Sequence, residues 1–312
     1  MELSTSAFLG VPATIGKSDN TILRALGDRA SEAADPMGSY LQIAHISSRY
    51  STLLGQYEHD STGLLPNPLP IVRTLDTELG VFQARNTLTW SPTVEITFLG
   101  ARLNLYSYAL ADNTLNSASP FRRREADAEY VPLSFMAASR LLHLACSFPD
   151  EVRLGTLHVR FCVIYAVLLL LRIFRSSHRH LIDESAAQNA ISQTWAMLKK
   201  SSEVEGDILT RICAIIEFVS KADWSKDAPT PTRSRMSANF VVDVLILGAA
   251  RHKKEAKEKQ IQNLNEPGMD GEIDDGDYLP QFPEWVDTDF ANHDQAILQA
   301  EFHALFGAYG FS

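Results

Sequence analysis

The sequence predicts an all-α protein with an acidic C-terminal segment. Three observations carry this reading. Apolar residues recur at three- and four-residue steps through most of the chain, as on the faces of amphipathic helices. Asp-Pro and Ser-Pro pairs stand where such stripes begin, the pattern of an N-cap followed by proline at the first helical position. Charge is distributed unevenly. From Ile261 to Ser312 there is no Lys or Arg and there are eleven acids, while the remainder holds 28 basic against 27 acidic residues. A chain of 312 residues can bury a real core. We read 1–260 as a helical domain and 261–312 as an acidic linker with an amphipathic tail segment.

Asp35-Pro36 starts the first predicted helix, "MGSYLQIAHISSRYSTLLGQY". "STGLLPNPLP" is a proline-rich loop, followed by a helix over "IVRTLDTELGVFQAR". Ser91-Pro92 starts a long helix striped by Ile96, Leu99, Leu103, Tyr106 and Leu110. Its opening "TVEITF" alternates like a strand, but no turn separates it from the stripe, so a helix is favoured. "DNTLNSASPFRRREADAEYVP" reads as a polar connection, Pro132 as the start of the next helix and Pro149 as its end. "VRFCVIYAVLLLLRIFR" follows in a helix beginning near Gly155 and ending at the basic "SSHRH". Residues 183–202 and 203–222 form two amphipathic helices. After the loop "DWSKDAPTPTRSR", a long helix spans 236–260. Residues 293–311 form a short tail helix, giving nine or ten helices in all.

The apolar stretch poses a membrane question. Its uncharged run, Phe161–Leu171, is short of the about 20 residues that span a bilayer, and Arg160 and Arg172 bound it. We therefore expect a buried central helix and no membrane partner. The N-terminus carries neither a basic n-region nor a long apolar stretch, so no secretory signal is predicted. Cys146, Cys162 and Cys213, spaced 16 and 51 apart, read as reduced, buried thiols. The near-neutral body argues against a broad DNA- or RNA-binding face.

Chemistry is sparse. There is no Gly-rich phosphate loop, G-x-S-x-G or H-E-x-x-H, so neither an enzyme nor a cofactor is expected. His143 and Cys146 sit three apart on one helix but supply only two of the three or four ligands of a zinc site. They read as a buried structural pair. His178 and His180 flank Arg179 in what reads as a surface turn. "DGEIDDGD" puts Asp275 where a calcium loop needs glycine, so it reads as a solvated linker. Arg122–Arg124 is a basic triplet that could hold a phosphate or form part of a nuclear import signal, against a plain solvated loop. In the acidic region Phe282, Trp285, Phe290, Leu298, Phe302, Leu305 and Phe306 form a candidate partner-docking segment. The alternative is a tail helix packed back on the body.

The order of segments resembles a known family. "EITFLGARLNLYSYAL", "AASRLLHLACSF", "HVRFCVIYAVLLLLRIFR", "GDILTRICAIIEFV", "RSRMSANFVVDVLI" and an acidic "fP-W" tail follow one another between Leu88 and Phe306. Together they are similar to the C-terminal half of the middle homology (regulatory) domain of fungal zinc binuclear cluster transcription factors. The resemblance implies an all-helical regulatory domain, a nuclear location and transcriptional control. Its partners would be the transcriptional machinery or a homologous regulator, with a possible small-molecule effector. The three scattered cysteines do not form the family's six-cysteine cluster, so direct DNA binding by this chain is not expected. That departure implies a fragment of a longer regulator or a shortened product acting through partners. A helical small-molecule-binding protein, or an accessory regulator, is the alternative.

Overall fold

The computed structural model describes residues 36–55, 65, 67–86, 90–110, 120–176, 178–202 and 208–221. These are about nine-tenths helical, and no strand occurs among them. The helices are α1 (Pro36–Gly55), α2 (Leu69–Asn86), α3 (Pro92–Leu110), α4 (Pro120–Ser147), the one-turn α5 (Pro149–Arg153), α6 (Leu157–Arg175), α7 (Glu184–Ser201) and α8 (Ile208–Lys221). A 3-10 turn, Arg179–Leu181, joins α6 to α7. The stretch "TVEITF" lies in α3, so the helical stripe prevails over the local alternation. The helix predicted over 236–260, the linker and the tail helix lie outside the described residues.

Proline sets several starts, at Pro36, Pro92, Pro120 and Pro149, where its missing N–H costs nothing. Asp183 caps α7 by accepting from the Ala186 amide at 3.0 Å. Two boundaries differ from expectation. Pro132 lies inside α4, which begins twelve residues earlier at Pro120. The burial of Ala126, Tyr130 and Val131 holds the "polar connection" in helical form. Pro149 closes α4 and opens α5, and α6 starts at Leu157 after an extended Thr156. A Cβ on Gly155 would meet the Glu151 carbonyl oxygen at 2.2 Å, so only glycine lets the chain turn so tightly there.

Contacts between side chains fix the directions. Tyr50 of α1 donates to the Ala101 carbonyl at 3.0 Å, and Tyr40 bonds to Thr93 nearer both N-termini, so α1 and α3 run parallel. Helix α2 is antiparallel to α3, with Asp76 at Arg102 and Phe82 against the mutually packed rings of Trp90 and Phe98. Helix α4 is antiparallel to α3 as well, matching Arg140 to Glu95 and Tyr130 to Tyr106. His178, just beyond α6, faces Asp127 near the start of α4, so α4 and α6 form another antiparallel pair. Trp195 donates to Glu217 at 3.1 Å and closes the α7–α8 hairpin.

The core is centred on α6. Ten consecutive residues, Cys162–Leu171, are buried, which is possible only for a helix covered on every side. Helices α3, α4, α7 and α8 supply the cover. Among the described residues α6 is the one helix long and apolar enough to cross a membrane, and 72% of its Leu157–Phe174 window is buried inside the bundle. Arg160, read from sequence as a flanking charge, turns back along the chain. Its guanidinium donates to the Val152 carbonyl at 3.2 Å and to that of Arg153, satisfying open carbonyls at the end of α5.

Leu169 is 1% exposed, so Leu169→Asp would bury an unpaired carboxylate. The variant is expected to lose its cooperative thermal transition by circular dichroism. A folded, soluble Leu169→Asp protein would remove α6 from the core.

Candidate functional site

Two polar clusters are built into the bundle. The first joins α2, α3 and α4. Arg102 and Tyr106 stand one helical turn apart on α3 and both reach Asp76 of α2. Arg102 Nε donates to Asp76 Oδ1 at 2.7 Å and the Tyr106 hydroxyl donates to the same oxygen at 2.8 Å. Arg102 also reaches Gln83 Oε1 at 3.3 Å, and its guanidinium lies 5.8 Å from the Tyr106 ring centroid. Tyr106 packs on Tyr130 of α4, ring centroids 5.4 Å apart. Next to Tyr130, Glu129 accepts from both Nε and Nη2 of Arg73. Burial raises the Tyr106 and Tyr130 phenols well above the ordinary range, so both remain donors. The Arg73 hydrogen bonds hold Glu129 below the usual carboxylate range. With its charges matched in pairs, the cluster can orient three helices against one another.

The second cluster lies in the interior. Ser47 and Tyr50 of α1, Asn104, Ser107 and Tyr108 of α3, Ser134 of α4, and His158, Cys162 and Tyr165 of α6 are all buried. Several find partners: Ser107 donates to the Asn104 carbonyl at 2.6 Å, and Tyr50 to the Ala101 carbonyl at 3.0 Å. Asn104 Oδ1 and Ser134 Oγ have no partner among the described residues. The α3–α4 pairing, Glu95 with Arg140 and Tyr106 with Tyr130, brings these two residues within about a turn along the bundle axis. Buried groups of this kind are satisfied by water or by a ligand.

His158 and Cys162 are a turn apart on α6, Nε2 and Sγ 3.8 Å from each other. A Cys–His pair is the outline of a nucleophilic site, but burial favours the neutral form of both. The imidazole is pushed down to about 4 and the thiol up beyond the range in which a thiolate forms near neutrality. Both residues are therefore packed as neutral polar groups.

The sequence-predicted positions fare differently. Phe282, Trp285, Phe290, Leu298, Phe302, Leu305 and Phe306 lie outside the described residues, as does "DGEIDDGD". Arg122–Arg124 falls within α4 rather than in a loop. His143 and Cys146 are not a buried pair. His143 is exposed, while Cys146 is half-buried with Sγ 3.7 Å from Thr194 of α7. His143 falls between the buried Leu142 and Leu144, where the helix turns it outward. Arg179 and His180 are exposed in the 3-10 turn, as expected of a surface turn, whereas His178 packs 3.5 Å from Asp127. None of the three cysteines is in a disulfide, and Cys162 and Cys213 are buried. Among the described residues no three His, Cys, Asp or Glu converge on a metal position.

Sequence reasoning took Tyr106 for plain apolar stripe and missed its cluster. The available signal was Arg102, one turn before Tyr106, a charge on the shoulder of a buried stripe. His158 was passed over because it stands at the edge of the apolar run.

No family model matches the chain, and no curated protein or solved structure matches it.

Removing Asp76 leaves the Arg102 guanidinium, 23% exposed, beside an unbalanced phenol. Asp76→Ala should cost about 1–2 kcal/mol of stability, discounted for partial solvent access. In a double-mutant cycle with Arg102→Met by urea unfolding, the two losses should be less than additive. His158 gives a pH signature. In the unfolded chain it takes a proton near 6.5, in the folded chain only near 4. Stability is thus unaffected above pH 6.5 and falls as pH drops through that window, by about 3 kcal/mol at the lower end. Urea midpoints measured from pH 7 to pH 4 should fall less steeply in His158→Leu than in the parent chain.

Proposed function

We propose that this chain is the regulatory and activation module of a transcriptional regulator of the fungal zinc-cluster type. It acts in the nucleus through protein partners, without catalysis and without binding DNA itself. The observation that carries the reading is the abrupt change in charge at Ile261. A nearly neutral helical body is followed by 52 residues with eleven acids, no Lys or Arg, and aromatics at Phe282, Trp285, Phe290, Phe302 and Phe306. Acids keep such a segment hydrated, and its aromatics can enter an apolar groove on a partner. The segment order from Leu88 to Phe306 and the all-helical body support the same reading.

A second reading, a helical small-molecule-binding regulator, is favoured by the buried Asn104 Oδ1 and Ser134 Oγ, which lack partners among the described residues. A metabolite bound between helices would satisfy such atoms. A thermal-shift screen against small polar metabolites separates the two, since only the second requires a rise in melting temperature.

The first reading is tested by fusing the whole chain to an unrelated DNA-binding domain. The fusion should drive a reporter, and truncation after Gln260 should abolish most of the signal. A silent fusion under all growth conditions would overturn it, as would full activity from the truncated chain.

A further inference from the structure

We propose that the wedge between α1, α3 and α6 binds a small uncharged molecule through Asn104, whose side-chain carbonyl accepts a hydrogen bond from an N–H or O–H of the guest. Asn104 is 2% exposed, and its Oδ1 has no partner among the described residues. A buried oxygen in that state costs stability, and such atoms are met by water or by a ligand. Helical spacing places Asn104 in the wedge. It shares a face of α3 with Ala101, three residues before it, and with Ser107 and Tyr108, three and four residues after it. Tyr50 of α1 meets this face, donating to the Ala101 carbonyl and standing edge-on to the Tyr108 ring at 6.2 Å. From α6, Cys162 and Tyr165 come within electrostatic reach of Tyr50.

The neighbouring hydroxyls do not turn to Asn104, because their protons are placed elsewhere. Tyr50 donates to the Ala101 carbonyl, Ser107 to the Asn104 carbonyl and Thr97 to the Thr93 carbonyl. A guest supplies the missing donor. The rest of the wedge is largely aromatic, through the buried rings of Tyr50, Tyr108 and Tyr165. A water held there would need two to four polar partners. A molecule with one donor and an apolar body matches one acceptor among rings. Charge is excluded by the surroundings. The charged residues of α1 and α3 are engaged on other helices: Arg49 with Glu78, Glu95 with Arg140 and Arg102 with Asp76. On α6, Arg160 is held by the carbonyls of α5, and Arg172 stands two turns beyond Tyr165. Burial keeps His45 and His158 neutral near pH 7. A charged guest would lose its hydration in the wedge with no counter-ion at hand. This inference rests on the ligand-binding reading above and names its site.

Thermal unfolding of the full chain with three probes of one shape, butanamide, butylamine and butanoate, tests it. Butanamide, the uncharged donor, should raise the melting temperature saturably, by about 2 °C at roughly ten times its half-saturating concentration. The ammonium and the carboxylate should give no such rise. Asn104→Leu removes the acceptor and keeps the bulk. Without a probe this variant should melt no lower than the parent, since a buried oxygen without a partner has gone. It should also lose the response to butanamide. A response that persists in Asn104→Leu would overturn this site, though not ligand binding elsewhere in the bundle. No response to butanamide in the parent, or an equal response to all three probes, would overturn it too. So would a marked fall in the melting temperature of Asn104→Leu without a probe, the result expected if structural water already fills the position.

Discussion

The structure depends on covering α6 from every direction. A helix whose residues Cys162–Leu171 are all buried has no face to give to water. Each of its larger side chains contributes about 1.5–3 kcal/mol when removed from solvent. That gain requires α3, α4, α7 and α8 to close around it, and this requirement sets the order in which the other helices are placed. The polar residues of α6 are arranged to suit. Arg160 and Arg172 lie near its ends, where they are not fully buried. The three polar groups carried inward, His158, Cys162 and Tyr165, are held neutral by desolvation.

Helix α3 transmits this order to the rest of the bundle. It is buried almost throughout from Val94 to Ala109, yet Arg102 and Tyr106 leave its surface toward Asp76. Here one carboxylate oxygen receives both an arginine and a phenol, so α2 can take only one register against α3. Tyr106 then meets Tyr130, and the same contact sets α4. Tyr50 donates to the Ala101 carbonyl and so fixes α1 against the same helix. Apolar burial supplies the driving force and a few directional contacts choose among the packings it would allow.

How much of this could be read from the residues depends on how local the cause is. The character of α6 was legible because ten buried positions in succession leave an unbroken apolar run. The starts of α1 and α3 were legible because proline and a capping residue act through their own backbone. The start of α4 was not. Pro132 carries a strong local signal for a helix start, and only the burial of Ala126 and Tyr130 in the completed bundle overrides it. The Asp76–Arg102–Tyr106 cluster was illegible for a related reason. Its members are 26 and 30 residues apart, and their meeting depends on the register of two antiparallel helices. For His143 the error was one of face. Leu141, Leu142, Leu144 and Ala145 already define the buried side, and a helical projection through them turns His143 to solvent.

The distribution of charge connects the helical body with the function proposed for the chain. Four arginines of the body engage acids on other helices: Arg49 with Glu78, Arg73 with Glu129, Arg102 with Asp76 and Arg140 with Glu95. Their charge is cancelled at short range, between helices, and contributes little field beyond a Debye length. Eleven acids after Ile261 have no Lys or Arg in their own segment. On the proposed reading this division has a physical use. Long-range attraction between those acids and a basic partner speeds encounter before any aromatic reaches its groove. Phe282, Trp285 and Phe302 would then determine which groove is accepted, because burying an aromatic ring requires a pocket of matching shape whereas attracting an acid does not.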